Sequence, residues 1–181
     1  TGKFMKEIFE QNSKYIACWS AGSGIPSTLS LMQYCLDNEL DTKVVAFDSN
    51  KTQADIIYHE KIKDMVSKSD NFKAVFTATR EPLNKLPKSK SDIKYKSGRF
   101  WTDENTLEKY TDDRGILAKL LSKKTNWQDY YNTICGSSSF INGKGRDKAG
   151  KMAKLGEGVE DHLLKFNCSP SNIDKDQYYL Q

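Results

Sequence analysis

Short apolar runs alternate along this chain with stretches whose apolar side chains recur every three or four positions. The first habit suits buried strands and the second suits helices with one face in a core. Runs at 15–19, 43–47, 74–78 and 130–135, with a last one at 172–180, therefore predict five strands. Between them, Ile25, Leu29, Met32 and Leu36 mark one helical stripe and Tyr58, Ile62, Met65 and Val66 a second. Asp112 or Asp113 is placed to cap a third, carrying Ile116, Leu117, Leu120 and Leu121, and Val159, Leu163, Leu164 and Phe166 mark a fourth. Strand and helix in strict alternation predict the α/β class: a five-stranded parallel sheet flanked by helices on both faces. The lysine-rich segment 85–96 contains Pro87 and several serines and reads as an exposed loop.

Composition narrows the function classes without choosing one. The chain has 181 residues, 37% hydrophobic and 29% charged, enough to enclose one core. No apolar run approaches the roughly 20 residues of a membrane span, so no direct span is expected. The net charge of +4 is spread among interspersed acids and bases, which argues against nucleic-acid binding. Cys18, Cys35, Cys135 and Cys168 form no CxxC pair, so no metal site is expected, a reducing compartment is the simplest fit, and three of the four read as core residues. His59 and His162 fall on helical stretches and read as surface or hydrogen-bonded histidines.

In a parallel sheet, ligands gather at the carboxyl ends of the strands. Four polar or glycine-bearing turns stand at those ends: residues 20–25, 48–51, 79–81 and 135–140. Gly22-Ser23-Gly24 leads from a strand into a helix, a turn that lets backbone N–H groups approach a phosphate. The full GxGxxG pattern fails at Ser27. Gly145-Arg146-Asp147-Lys148-Ala149-Gly150-Lys151 copies most of a P-loop, but Met152 stands where the Ser or Thr that holds magnesium belongs, so ATP or GTP hydrolysis is not expected. No convergent acid–base set points to a hydrolase or to an enzyme of small phosphorylated substrates.

Several segments, in order, resemble the NAD(P)-binding domain of the ferredoxin-NADP reductase superfamily. Residues 20–30 (SAGSGIPSTLS) are similar to its AGGTGI-x-P-x-LS opening, Ser49-Asn50-Lys51-Thr52 with Asp55-Ile56-Ile57 to its NRT…DII stretch, and Thr79-Arg80-Glu81-Pro82 to its TREP strand end. Gly98-Arg99-Phe100 resembles its GRF turn, Ile134-Cys135-Gly136-Ser137 with Phe140 its ICGP-x-x-F motif, and Asn172-Ile173 with Asp176 and Tyr178 its closing NI-x-x-E-x-F. The chain departs from the family at Pro26, at Ser137 in place of a proline, and over 143–158, where Gly and Lys replace a plain helix.

The resemblance implies an NAD(P)H-binding domain over 13–181, with 1–12 as the segment that follows a flavin lobe; Thr1-Gly2-Lys3-Phe4 is similar to that lobe's end. It implies a nicotinamide-dependent flavoprotein oxidoreductase that positions the nicotinamide for hydride transfer to FAD, the flavin being held by a lobe of the same or another chain, with the isolated chain a poor catalyst. Electrons would pass on to a haem, an iron-sulfur centre or another one-electron acceptor, in the cytoplasm or on the cytoplasmic side of a membrane complex. Cofactor contacts would come from Gly22, Ser23, Gly24, Ile25, Asp48, Ser49, Lys51, Thr79, Arg80, Gly136, Ser137 and Phe140. Cys135 would border the reacting carbon, and Tyr178 would cover the flavin ring. Lys51, Thr79 and Arg80 suit the 2'-phosphate of NADPH, whereas Asp48 suits the free ribose of NADH. The rival reading is a non-catalytic module that docks a partner on a degenerate cleft.

Overall fold

The computed structural model describes residues 10, 13–81, 92–97, 130–165 and 167–177. Within them lie the strands β1 (Tyr15–Ala21), β2 (Lys43–Asn50), β3 (Phe72–Ala78), β4 (Ile93–Ser97), β5 (Tyr131–Gly136), β6 (Lys144–Arg146), β7 (Met152–Lys154) and β8 (Ile173–Gln177). The helices are α1 (Ile25–Asp37), α2 (His59–Lys68), α3 (Ser138–Asn142) and α4 (Val159–Lys165). The turn 98–100, the helix expected after Asp112 or Asp113, Phe166, Tyr178 and nearly all of 1–12 lie outside the described residues.

The main sheet is wholly parallel, in the order β4-β3-β2-β1-β5-β8. Its five expected strands are present, and β4 is a sixth, added at the edge by the segment read as loop. Pattern alone could not see β4, because lysines alternate through Ile93-Lys94-Tyr95-Lys96 as they do on a solvated surface. Tertiary contacts hold it: Nε2 of His59 at the start of α2 shares a 2.8 Å hydrogen bond with the Tyr95 hydroxyl, and the Tyr95 ring stacks on Phe76 of β3.

Two apolar layers sandwich the sheet. Ile25, Leu29, Leu31, Met32 and Cys35 of α1 join Ile62, Met65 and Val66 of α2 against alternate residues of β1 to β3, such as Ile16, Val44 and Phe76. The α1 stripe thus ends on Cys35, with Leu36 only partly buried, and Tyr58 before α2 is exposed. On the other face, Phe140 and Ile141 of α3 and Val159 and Leu163 of α4 pack with Trp19, Phe47 and Val75. Leu164 points outward, while His162, which follows the helical period better, is buried near Glu157. Trp19 stacks on Phe47 with ring centroids 4.0 Å apart and donates from Nε1 to Asn132 Oδ1 at 3.0 Å, so this buried indole N–H has a partner. All four cysteines are reduced and buried.

The Gly- and Lys-rich stretch 143–158 is an antiparallel hairpin of β6 and β7, with no helix between Asn142 and Val159. Gly143, at φ +68°, ends α3 in the left-handed conformation; a β-carbon there would sit 2.0 Å from the Gly156 carbonyl oxygen, so glycine is required. The P-loop-like segment forms the tip of this hairpin.

Candidate functional site

The chain leaves β1 for β2 on one side and later lays β5 against β1 on the other. Strand order therefore reverses between β1 and β5, and a crevice opens beyond their carboxyl ends. A cleft of about 580 Å³ occupies that place. Its floor is Ala21, Gly22 and Ser23; one wall is Ser49, Asn50 and Lys51 from the end of β2, with Ala54, Asp55 and Ile57 beyond. Thr79 closes it on the β3 side, and Ser137, Ser139 and Phe140 form the wall on the β5 side.

Each wall is fixed by its own chemistry. Gly22 adopts φ +52°, and a β-carbon on it would meet nothing within 4 Å, so the backbone here faces open space. Gly24 is the opposite case: its β-carbon would lie 2.2 Å from the Cys135 carbonyl oxygen, so glycine lets β1's turn press directly on the end of β5. α1 begins at Ile25, whose N–H donates to the Gly22 carbonyl, with Pro26, which has no N–H, in its first turn; no side chain caps it, which leaves the positive end of the helix dipole for an anion. The loops after β2 and β3 are laced together by Thr79 N–H to the Asn50 carbonyl at 3.0 Å, Arg80 N–H to the Lys51 carbonyl at 2.9 Å, and Gln53 N–H to the Glu81 carboxylate. Asp55 accepts from the Thr52 hydroxyl and N–H, at 2.8 and 2.9 Å, and these bonds, with nearby Lys51 and Arg80, hold its carboxyl below the usual range.

Seven of the expected residues line the cleft: Gly22, Ser23, Ser49, Lys51, Thr79, Ser137 and Phe140. Gly24, Ile25 and Gly136 shape it from beneath, and Arg80 is exposed beside it. Asp48 is elsewhere. It lies on the α1 face of the sheet, 2% exposed, where its Oδ2 accepts from Asn50 Nδ2 at 2.8 Å and its Oδ1 has no hydrogen-bond partner. Burial pushes this carboxyl up to about 7, against which the bond from Asn50 acts only in part. Cys135 is buried too, its Sγ 3.3 Å from the Ser27 hydroxyl. Ala21, Asn50 and Ser139, inside the expected turns but not named as contacts, also line it, and Ala54, Asp55 and Ile57 line it from outside those turns. Ile57, 62% exposed, is the one the pattern could have flagged, as an apolar side chain left on the surface at a strand-end turn.

The sequence matches the family model described as "Oxidoreductase NAD-binding domain" over residues 19–144, most of the chain. The chain belongs to the oxidoreductase NAD-binding domain family. The match runs from Trp19 in β1 to the start of β6, so the family's domain takes in both turns that bound the cleft. No curated protein matches it in sequence. Among solved structures, the fold is similar to the cytochrome b5 reductase domain of Ulva prolifera nitrate reductase, with 18% identity and TM-score 0.60, covering 91% of this chain and 50% of that one. It is similar also to the CS-b5R domains of human Ncb5or in the NAD+ form, with 18% identity and TM-score 0.60, covering 97% and 39%. A third is a ferredoxin NADP+ reductase from Neisseria gonorrhoeae with bound FAD and NADP, again 18% identical with TM-score 0.60, covering 99% and 61%. The chain thus spans less than two-thirds of the length of each. The ferredoxin-reductase-like fold expected of this family member is the fold observed. Among the described residues, no helix is long and apolar enough to cross a membrane, and no group of three or more metal-ligating side chains is placed to hold an ion.

Proposed function

We propose that this chain is the nicotinamide-nucleotide-binding part of a flavoprotein reductase, and that the dinucleotide lies across the cleft at the β1–β5 reversal. One observation carries the reading: Gly22 opens, unobstructed, into a cleft of about 580 Å³ in the turn that leads into α1, whose start no side chain caps. Such a turn suits an anion, with room on both sides. The pyrophosphate would rest on Gly22, Ser23 and the first turn of α1. The adenosine ribose would lie toward Ser49, Asn50, Lys51 and Thr79, with Arg80 at the edge. The nicotinamide would lie toward Ser137 and Phe140, with Cys135 and Gly136 supporting that end from below.

Bound there, the nicotinamide supplies a hydride. The chain's own residues bind and orient it: Gly24 sets the contact between the two turns, and Phe140, packed over Gly136, forms an apolar wall for one ring edge. The flavin that takes the hydride would be FAD held by a lobe of the same or another chain, and the final acceptor a haem, an iron-sulfur centre or another one-electron carrier. With Asp48 withdrawn beneath α1, the cations at the ribose end are Lys51 and Arg80, while the carboxylates there, Asp55 and Glu81, are occupied by Thr52 and by the Gln53 N–H, which favours NADPH over NADH.

Titration of the chain with NADPH and with NADH, followed by calorimetry, tests this. Saturable binding is expected, tighter for NADPH, and Gly22→Ala should weaken it by about tenfold or more, because its β-carbon would project into the cleft and the φ of +52° disfavours any side chain there. Absence of saturable binding by either nucleotide sinks the reading and leaves the docking module in its place.

A further inference from the structure

The β6–β7 hairpin carries Lys144, Arg146, Lys148, Lys151 and Lys154 against one acid, Asp147. That acid is spent inside the turn, where its Oδ1 accepts from the N–H groups of Ala149 and Lys151, both at 2.9 Å. The neighbouring acids are committed as well. Asp161 takes Lys154 at 2.6 Å and the Gly158 N–H, Glu157 takes Lys165, and Glu160 takes Lys175. Lys144, Arg146, Lys148 and Lys151 are therefore exposed with no acidic partner among the described residues. Strand register sets Lys144 directly opposite Lys154, on the face that also carries Arg146. Met152, 58% exposed, stands opposite Arg146 on the same face.

We propose that this hairpin is a contact for an anionic bilayer surface. Three features choose that occupant. The turn's own N–H groups are filled by Asp147, so a single phosphate cannot be cradled there as in a P-loop, and only side chains remain to meet anions. Lysines dominate the patch, and lysine is depleted from specific protein interfaces, whereas ammonium groups on flexible stems suit an array of headgroups. The exposed Met152 adds an apolar contact at the headgroup boundary. The hairpin springs from the end of α3, whose first residues line the cleft; five helical residues rise about 8 Å, so a bilayer held here lies on the β5 side of that cleft. The inference does not depend on what the cleft binds.

The experiment is co-sedimentation of the full chain with vesicles of phosphatidylcholine alone and of equal parts phosphatidylcholine and phosphatidylserine, at rising salt. Binding is expected only to the anionic vesicles and should fall as salt screens it. Lys148→Ala with Lys151→Ala should reduce partitioning by about thirtyfold, roughly fivefold for each charge. Lys61→Ala with Lys68→Ala, on α2 across the sheet, removes the same formal charge and should leave partitioning unchanged. Thermal unfolding of both variants checks that they remain folded. Equal binding to both vesicles, no binding to either, or an equal loss in the α2 variant overturns the proposal. So does soluble polyglutamate or heparin displacing the chain from vesicles at equal anion concentration, which would point to an acidic protein or a nucleic acid.

Discussion

Asp48 gives the sharpest test of how this sheet is built. Its carboxyl is buried under α1, bonded only through Oδ2 to Asn50, and raised from 3.8 to about 7 chiefly by desolvation. In register beside it on that face are Ser20 of β1 and Phe76 of β3, neither charged. Between those two pH values the folded chain holds a proton that the unfolded chain has released, so stability must fall as pH rises. The stabilisation is complete below about pH 3.8 and is lost as pH rises through about 7. Each pH unit is worth about 1.4 kcal/mol, so the whole interval comes to on the order of 4 kcal/mol. Asp48→Asn keeps an oxygen to accept the Asn50 amide and cannot ionise. Urea unfolding from about pH 4 to about pH 8 should therefore show the variant gaining on the wild-type chain by about 4 kcal/mol, nearly all of it below neutrality. Parallel stability curves for the two proteins would refute the reasoning, because they would mean that Asp48 titrates as a solvated acid.

Gly24→Ala should destabilise the fold by about 1–3 kcal/mol, read by thermal unfolding, since its β-carbon would overlap the Cys135 carbonyl oxygen and push β1's turn off β5. Lys51→Ala with Arg80→Ala should weaken NADPH binding by about tenfold or more and NADH binding much less, measured by calorimetry, as each lost cation removes a charge-assisted bond to the 2'-phosphate alone; equal losses would remove that assignment.

The sheet was legible because its strands are buried on both faces, and such strands appear as unbroken apolar runs. Tyr15 to Trp19 and Val44 to Phe47 need no alternation to be recognised, and the glycine turn after the first marks where it ends. What escaped was whatever depends on partners distant in sequence. β4 is a strand because Tyr95 finds His59 and Phe76, which its lysine-alternating sequence does not announce. The β6–β7 hairpin has the composition of a loop, and its order comes from Gly143, which fits against Gly156, and from Lys154, which reaches Asp161 and the Asn142 carbonyl.

The site was legible by position but not by direction. All four strand-end turns border the cleft, as the parallel topology requires, yet neighbouring residues within a turn do not share its fate. Along β2, Val44, Ala46 and Asp48 face α1 and α2, while Val45 and Phe47 face the other layer. A carboxylate two residues short of the strand's end thus goes under a helix, and Ser49 and Asn50 at that end, with Lys51 just past it, reach the cleft. The same holds at β5, where Cys135 is still within the strand and buried, and Ser137, one step past Gly136, lines the wall. An acidic residue at a strand end is therefore no evidence of ribose recognition until its parity against the helices is known. In this chain parity makes Asp48 a buried acid that responds to pH and leaves the choice of nucleotide to the residues just beyond it.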